Sequence, residues 1–357
     1  MMTLRQLSLK PPNIPASTAW YIADLSESRG KQELYTHQSP QKLKALREHA
    51  LVESAVSSNR IEGVTMDEKR VATVIFGRPP LRDRDEEEIR GYRDALNLIH
   101  NQGKDLPVSQ DTILQLHHMC RGDIWDAGKY KEKDGDIIEK YPDGRTRVRF
   151  HTVTAKETPQ AMTELVDMWG RCLREKWIHP LIALAAFNLD FLCIHPFRDG
   201  NGRVSRLLLL LQSYHLGYEV GRYISLERFI EESKERYYET LEQSSVGWHE
   251  GKNDPWPYVN YILYTMKSVY REFEMRLDAT KSPRGSKTEM IISAINRFAD
   301  QFTLTDLERA VPGVSHDMLR KVLKDLQKEG RVECVGRGRG APWRKRVITT
   351  KEGKERG

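Results

Sequence analysis

Apolar residues recur at helical spacing along most of this chain, and the pattern predicts a mainly α protein. A capping residue and a proline, Ser39-Pro40, open a predicted helix that ends near Gly63, where glycine can adopt the left-handed conformation. Before it, prolines at 11, 12 and 15 predict an extended or loop-like segment, because proline fixes φ and lacks an amide donor. Further helices are predicted over 86–100, 110–119, 159–176, 180–194, 203–216, 227–241 and 258–277.

One segment departs from the helical pattern. Between Asp136 and Phe150, short runs rich in Ile, Val and Tyr flank the turn sequence Tyr141-Pro142-Asp143-Gly144. Proline and glycine in such a turn commonly join two strands. We therefore predict a β-hairpin over 136–150.

The C-terminal part has its own pattern. A small and polar stretch, 279–286, is typical of a linker and is followed by predicted helices over 287–299, 305–311 and 315–329. Predicted strands over 331–335 and 343–348 flank the glycine-rich tip 336–340. Three helices and a hairpin are the elements of a winged helix-turn-helix, whose third helix can enter the major groove of DNA. A winged helix that binds protein or dimerises without touching DNA is the alternative.

Charge supports an anionic partner for this end. The chain carries a net charge of +6, and from Gly330 onward nine basic residues face three acidic ones, which accounts for the whole excess. Such a basic segment favours nucleic acid as a partner, whereas a solvated tail is the alternative. Candidate contacts are Arg337 and Arg339 at the tip and Arg320, Lys321 and Lys324 on the third helix.

Composition argues against a membrane or secreted protein. The longest apolar run, 207–211, is far shorter than the roughly 20 residues of a membrane span, and the N-terminus lacks the pattern of a secretory signal. Four scattered cysteines show no zinc or disulfide spacing, so reduced thiols are expected. We expect a cytoplasmic protein with no membrane partner.

The chemistry is concentrated in His195–Arg206, which spells His-Pro-Phe-Arg-Asp-Gly-Asn-Gly-Arg-Val-Ser-Arg. Glycines between two helices let backbone amides converge at the start of the second helix, where phosphate binds well. Arg203 and Arg206 are three residues apart on its first turn, within reach of a polyphosphate. Asp199 beside them suits a magnesium ion bridging to phosphate, and His195 suits proton transfer near neutral pH.

This string resembles the Fic family, whose pattern is His-x-Phe-x-Asp-Gly-Asn-Gly-Arg-x-x-Arg, at every defined position, and the resemblance covers roughly residues 40 to 275. It implies a helical domain that binds ATP with Mg²⁺ and transfers AMP to a Tyr, Thr or Ser hydroxyl of a target protein. Related kinases replace the second glycine with lysine. Gly202 is retained here, which favours AMP transfer.

The resemblance also implies roles. His195 would be the catalytic base, Asp199 the metal ligand, and Arg206 the anchor of the γ-phosphate. The remaining ATP-binding residues would be Phe197, Arg198, Gly200, Asn201, Gly202, Arg203, Tyr237 and Tyr238. An asparagine expected shortly after the tyrosine pair is replaced by Ser244-Ser245, and core packing is an alternative role for at least one tyrosine. The predicted hairpin resembles the family's flap, which would dock the target by strand addition.

A second motif concerns regulation. Ser58-Asn59-Arg60-Ile61-Glu62-Gly63 fits the family's inhibitory pattern of Ser or Thr, three residues, Glu, then Gly or Asn. Ser58 and Glu62 are four residues apart and share a helical face. The implied mechanism is an ion pair from Glu62 to Arg206 that removes the γ-phosphate anchor.

These observations predict three regions: a helical region with the inhibitory helix over 1–100, a Fic catalytic domain over 101–280 and a winged helix-turn-helix domain over 286–350. We predict an autoinhibited protein adenylyltransferase. Removal of AMP by the same site and a nucleotide-sensing DNA-binding regulator are the alternatives. The target, the modified residue type, any DNA site and the oligomeric state, including a homodimer, stay open at this point.

Overall fold

The computed structural model describes residues 2–10, 12–36, 40–77, 79–140, 144–278, 286–298, 301–311, 314–336, 338 and 340–346. The chain divides into two units, Met1–Phe273 and Glu274–Gly357. The boundaries predicted for the three regions stay predictions, because the linker 279–285 lies outside the described residues.

The first unit is mainly helical, as predicted. Its elements, in chain order, are α1 (Thr3–Leu9), α2 (Ala16–Thr36), α3 (Pro40–Ile61), α4 (Glu68–Phe76), α5 (Arg84–Gln102), α6 (Gln110–Arg121), β1 (Ile137–Lys140), β2 (Thr146–Phe150), α7 (Thr158–Glu175), α8 (Pro180–Ile194), α9 (Asn201–His215), α10 (Leu226–Glu232), α11 (Lys234–Ser245) and α12 (Trp256–Asp278).

Helix α8 forms the centre of this unit. Every residue from Leu181 to Ile194 is buried, because α8 is apolar around its whole circumference and packs against α1, α7 and α9. Helix α9 follows after six residues and is buried over most of its length. The loop between these two helices is therefore held by the core on both sides.

The prediction of an extended or loop-like first segment holds for residues 12–15 and is wrong for the residues on either side. Residues 3–9 and 16–36 are helical, and Pro15 accepts the amide of Ala19 at the start of α2. Proline is tolerated where a helix begins, since its missing donor would have no helical partner there. Burial of Leu4 and Leu7 holds α1 in place.

A buried carboxylate fixes α1 to the central helix. Asp190 is fully buried in α8, and its oxygens accept the amides of Thr3 at 2.8 Å and Leu4 at 2.9 Å. The indole of Trp248 donates to the same carboxylate at 2.7 Å. Burial raises the pKa of Asp190 to about 6, against the lowering effect of these hydrogen bonds.

Other differences from the predicted elements are local. Helix α4 was not predicted, and the helix predicted over 227–241 is two helices that meet at Ser233. The predicted capping residue Ser39 lies outside the described residues. All four cysteines carry free thiols, and Cys120, Cys172 and Cys193 are buried.

The predicted hairpin is present. Strands β1 and β2 pair antiparallel, with a bulge between Ile137 and Ile138. The tip residues 141–143 lie outside the described residues. Arg147 and Arg149 of β2 both bind Glu242 of α11, so the hairpin is tied to the helix that carries the tyrosine pair.

The second unit contains α13 (Ser286–Arg297), β3 (Gln301–Phe302), α14 (Leu304–Ala310), α15 (His316–Lys328), β4 (Val332–Cys334) and β5 (Trp343–Lys345). The three strands form an antiparallel sheet in the order β3-β5-β4, and β3 was not predicted. Ile291, Phe302 and Leu319 belong to its apolar core. The order of three helices and a hairpin agrees with the sequence pattern, whereas the name winged helix-turn-helix stays an interpretation. The turn 312–313, Arg337, Arg339 and residues 347–357 lie outside the described residues.

None of the helices in the described ranges has both the length and the apolar character needed to cross a membrane.

Replacing Asp190 with Ala is expected to lower the free energy of unfolding by about 3 kcal/mol or more, because three buried donors lose their acceptor. Chemical denaturation followed by tryptophan fluorescence measures this. Asp94→Ala is the matched control, since the Asp94 carboxylate is 48% exposed and surface pairs contribute about 0–1 kcal/mol. Equal losses in the two variants would contradict the anchoring role of Asp190.

Candidate functional site

The candidate site is built on the turn His195–Gly200 between α8 and α9. His195 closes α8 in the left-handed conformation, with φ 52°, and its amide donates to the carbonyl of Phe191. Gly200 opens α9 with φ 84°, a conformation that glycine adopts without strain. The turn therefore reverses direction sharply and leaves the first amides of α9 without helical partners.

Asn201 and Phe197 lock this turn from inside. The Asn201 side chain accepts the Phe197 amide at 2.9 Å and donates to the Phe197 carbonyl at 2.8 Å. Both residues are buried. Their side chains therefore support the turn, although the sequence placed both among the ATP-binding residues.

Arg206 lies in the core beside the inhibitory motif. Its guanidinium is 3% exposed and donates to the Ser58 hydroxyl at 2.8 Å and the Ser58 carbonyl at 2.9 Å. It also donates to Glu62 Oε1 at 2.8 Å. The structure thus brings Arg206 together with Ser58 and Glu62, from which it is more than 140 residues distant in the sequence.

The Glu62 carboxylate also lies against the start of α9. A Cβ atom built on Gly202 would overlap Glu62 Oε1 and would lie 3.1 Å from an Arg206 nitrogen. Glycine is therefore required at position 202 for this approach. The Glu62 carboxylate therefore occupies the position where the first amides of α9 and the Arg206 guanidinium attract negative charge.

Arg203 is held by residues that the sequence analysis did not single out. Its guanidinium is 1% exposed and donates to Glu88 Oε2 at 2.5 Å. Glu88 Oε1 accepts from Arg121 at 2.7 Å, and Arg121 also donates to Asp199 Oδ2 at 2.6 Å. Arg203, Glu88 and Arg121 form a buried network that reaches the partly exposed Asp199. Glu88 and Arg121 come from α5 and α6, so no local spacing indicated this network.

Asp199 combines this support with access to solvent. Its side chain is 54% exposed, and its Oδ1 accepts the amide of Gly200. Although burial favours a higher pKa, the guanidinium groups of Arg121 and Arg203 outweigh it and lower the pKa of Asp199. An ionised, partly exposed carboxylate fits a divalent cation that also binds phosphate oxygens. No group of three or more potential metal ligands occurs among the described residues, so phosphate would have to supply further ligands.

His117 is a further residue missed by the sequence analysis. Its ring stacks on Phe197 with centroids 3.7 Å apart, its Nδ1 accepts the Gly128 amide, and its Nε2 donates to the Asp199 carbonyl at 3.0 Å. These bonds require the neutral ring. Burial lowers the pKa of His117 to about 4, in agreement with that form.

His195 has one ring nitrogen free for chemistry. Its Nδ1 lies 3.3 Å from the Leu192 carbonyl, which can only accept, so Nδ1 carries the proton and Nε2 carries the lone pair. Burial and the nearby Lys131 ammonium lower the pKa of His195 to about 4. The imidazole is therefore neutral at pH 7 and able to accept a proton.

Two cavities meet at His195. The first has a volume of about 220 Å³ and is lined by Glu62, Arg149, His195, Gly202, Tyr237 and Tyr238, among others. The second has a volume of about 370 Å³ and includes Trp125, Lys131, His195, Phe197 and Arg198 in its wall. The imidazole thus lies between two spaces that separate molecules could enter.

The tyrosine pair and Arg198 occupy the walls of these cavities. Tyr237 is 2% exposed and packs against Tyr238, Tyr258 and Tyr261, so core packing is one of its roles. Tyr238 is less buried, and its ring lies below the Arg149 guanidinium of the hairpin. Arg198 is exposed and lies over the ring of Trp125.

Comparison with known proteins relates the sequence around this site to a known protein family. The model of the Fic/DOC family matches residues 107–213, which include the whole 195–206 string. The protein adenylyltransferase Fic of Nematostella vectensis is 24% identical over 212 residues, covering 57% of this chain and 44% of that protein. The protein of the same name from Drosophila grimshawi is 26% identical over 230 residues, covering 59% and 45%. The chain thus spans less than half the length of these curated relatives.

Solved structures show the same fold. A Fic family protein from Desulfovibrio desulfuricans has a TM-score of 0.58 at 22% identity, covering 97% of this chain and 99% of that one. A Fic domain containing signaling protein from Bacteroides thetaiotaomicron has a TM-score of 0.59 at 24% identity, covering 70% and 94%. The shared fold, the family match and the curated relatives agree, and residues 107–213 of this chain match the Fic/DOC family.

Proposed function

We propose that this chain is a protein adenylyltransferase, which moves AMP from ATP to a Tyr, Thr or Ser hydroxyl of another protein. The observation that carries the proposal is the 195–200 turn, where a neutral imidazole lies between two adjoining cavities. The helix that begins after this turn has an anion-binding start and carries two buried arginines, Arg203 and Arg206. The names of the curated relatives support the same activity.

ATP would bind along the start of α9. The backbone amides of Gly200, Asn201 and Gly202 would face the phosphates, with Arg203 and Arg206 supplying positive charge. The first cavity, lined by Tyr237 and Tyr238, would take the adenosine. Phe197 would contribute by supporting the turn, and Arg198 from the exposed rim.

Asp199 would hold Mg²⁺ together with phosphate oxygens. The ion would supply charge neutralisation for the triphosphate. Arg121 and Arg203 fix the orientation of this carboxylate, so its position does not depend on the bound ion.

Proton transfer is the task of His195. Its Nε2 would accept the proton of the target hydroxyl while the hydroxyl oxygen bonds to the α-phosphorus. The bond from that phosphorus to the bridging oxygen breaks, and pyrophosphate leaves. The Leu192 carbonyl holds the ring in the required tautomer.

The target protein would dock on the hairpin. Each strand of a two-stranded sheet has one outer edge open to strand addition. Ile138 and Val148 of this hairpin are 51% and 44% exposed, which gives a docking segment apolar surface to cover. The pairing of Arg147 and Arg149 with Glu242 holds the hairpin beside the first cavity.

Glu62 would inhibit the transfer by taking the place of the γ-phosphate. It lies against Gly202 and binds the Arg206 group assigned to that phosphate. ATP could then bind only with a displaced γ-phosphate, which moves the α-phosphorus away from His195. The predicted homodimer stays a prediction.

Replacing His195 with Ala is expected to lower AMP transfer by about a hundredfold or more, because a general base contributes about that factor. Transfer of labelled AMP to lysate proteins or to the chain itself measures this, in a Glu62→Ala background. His118→Ala is the matched control, because His118 is exposed and outside both cavities. Unchanged transfer in His195→Ala would exclude the assigned role.

The pH dependence follows from the same group. Since the pKa of His195 is about 4, its base form is complete at neutral pH and is lost only as the pH falls toward 4. At ATP concentrations well below KM, the transfer rate is therefore expected to stay level from about pH 7 down to about pH 5 and then to fall. A fall centred near pH 6.5 would contradict the low pKa.

Replacing Glu62 with Ala is expected to raise AMP transfer by about 5- to 150-fold, the range of typical regulatory coupling. Glu48→Ala is the control, since Glu48 lies on the same helix and faces Lys44 at 4.0 Å. No increase would exclude inhibition by Glu62.

If wild-type protein instead releases AMP from a modified target and Glu62→Ala does not, removal of AMP is the favoured activity.

A second candidate function concerns DNA. Arg320, Lys321 and Lys324 are all exposed on α15, where they are available to phosphates or bases. Changing all three to Ala is expected to weaken duplex binding by the full chain and to reduce its dependence on salt. Fluorescence anisotropy at several salt concentrations measures both. If the wild-type chain does not bind duplex DNA, the DNA-binding function is excluded.

A further inference from the structure

Lys131 lies between the hairpin and the 195–200 turn, and no motif of the sequence assigns it a role. It is 8% exposed in the wall of the second cavity. Its ammonium donates to the Thr152 hydroxyl at 2.8 Å and to the Ile194 carbonyl at 3.2 Å. Its backbone amide donates to the Pro196 carbonyl at 2.8 Å.

These three bonds enclose His195. Ile194 precedes it and Pro196 follows it, so one residue holds the carbonyls on both sides of the left-handed position. Thr152 in turn donates to the carbonyl of Gly135, and these two residues flank the base of the hairpin. The lysine therefore connects the base of the hairpin to the backbone of His195.

We propose that Lys131 is a positioning residue for His195: its buried ammonium fixes the end of α8, at the Ile194 carbonyl directly before His195, against the base of the hairpin. The proposal rests on the proposed function insofar as His195 is the base for AMP transfer. Under this proposal, the Lys131 side chain fixes the position of His195 relative to the hairpin. A target protein docked on the hairpin would then present its hydroxyl at a fixed distance from the imidazole.

The charge of Lys131 has a separate effect. A positive group near an imidazole disfavours the imidazolium, and Lys131 contributes to the low pKa of His195 after burial itself. Glu62 and Asp199 face the same ring and act in the opposite direction. A neutral residue at position 131 is therefore expected to raise the pKa of His195, whereas arginine is expected to keep it low.

The test compares Lys131→Met, Lys131→Arg and Lys156→Met in the full chain carrying Glu62→Ala. Lys156 is the matched control, because it is an exposed lysine outside both cavities. NMR titration of the His195 ring, assigned by its absence in His195→Ala, gives the pKa without any turnover. AMP transfer and the Kd for ATP are measured on the same proteins.

In Lys131→Met we expect the pKa of His195 to rise from about 4 toward its ordinary 6.5 and transfer to fall about ten- to hundredfold, with an unchanged Kd for ATP. Lys131→Arg keeps the low pKa and recovers part of the rate, and Lys156→Met changes neither the pKa nor the rate. An unchanged pKa or an unchanged transfer rate in Lys131→Met overturns the proposal.

If Lys131→Met does not fold, Thr152→Val removes the hairpin side of the bridge and keeps the charge. Slower transfer at unchanged pKa then supports the proposal, and an unchanged rate overturns it. If the Glu62→Ala protein transfers no AMP at all, the proposed function fails, and the titration alone decides whether Lys131 controls His195.

Discussion

Two guanidinium groups in the core of the first unit determine how the site is built. Arg203 and Arg206 are 1% and 3% exposed, and a buried charge without a partner destabilises a fold by several kcal/mol. Glu88 of α5 therefore meets Arg203. Ser58 of α3 and Glu62, directly after the end of α3, meet Arg206. The packing of α3 and α5 around α9 follows from this need for compensation as much as from apolar contact.

The same constraint gives Glu62 two roles under the proposed function. Without nucleotide, it compensates the Arg206 charge. A γ-phosphate bound at Arg206 would replace one anion with another, so the arginine would stay paired while Glu62 moves out. Because Arg206 has an anionic partner in both states, the free energies of the Glu62-paired and phosphate-paired states need differ by only a few kcal/mol. A difference of this size is within the range that ligand binding can overcome.

Sequence alone predicted those parts of the structure that local pattern encodes. The central helices, the hairpin and the 195–206 string are each contiguous and periodic, and the structure contains all of them. The N-terminal helices were missed because prolines suggested irregular structure, whereas α1 depends on hydrogen bonds to Asp190, which is distant in sequence. Glu88, Arg121 and His117 were missed for the same reason, since their roles exist only once α5 and α6 lie below the turn.

The low pKa of His195 suits a base whose strength depends on the bound nucleotide. Burial and Lys131 disfavour the imidazolium in the unliganded chain, so Nε2 is free but only weakly basic. Negative phosphates at the start of α9 would favour the imidazolium and raise the pKa toward neutrality, where a general base is most effective. Glu62 and Asp199 already act on the ring in that direction, although they do not outweigh burial. Loading of the triphosphate would therefore increase the basicity of His195 at the moment when a hydroxyl can react, and would leave it weakly basic in the empty site.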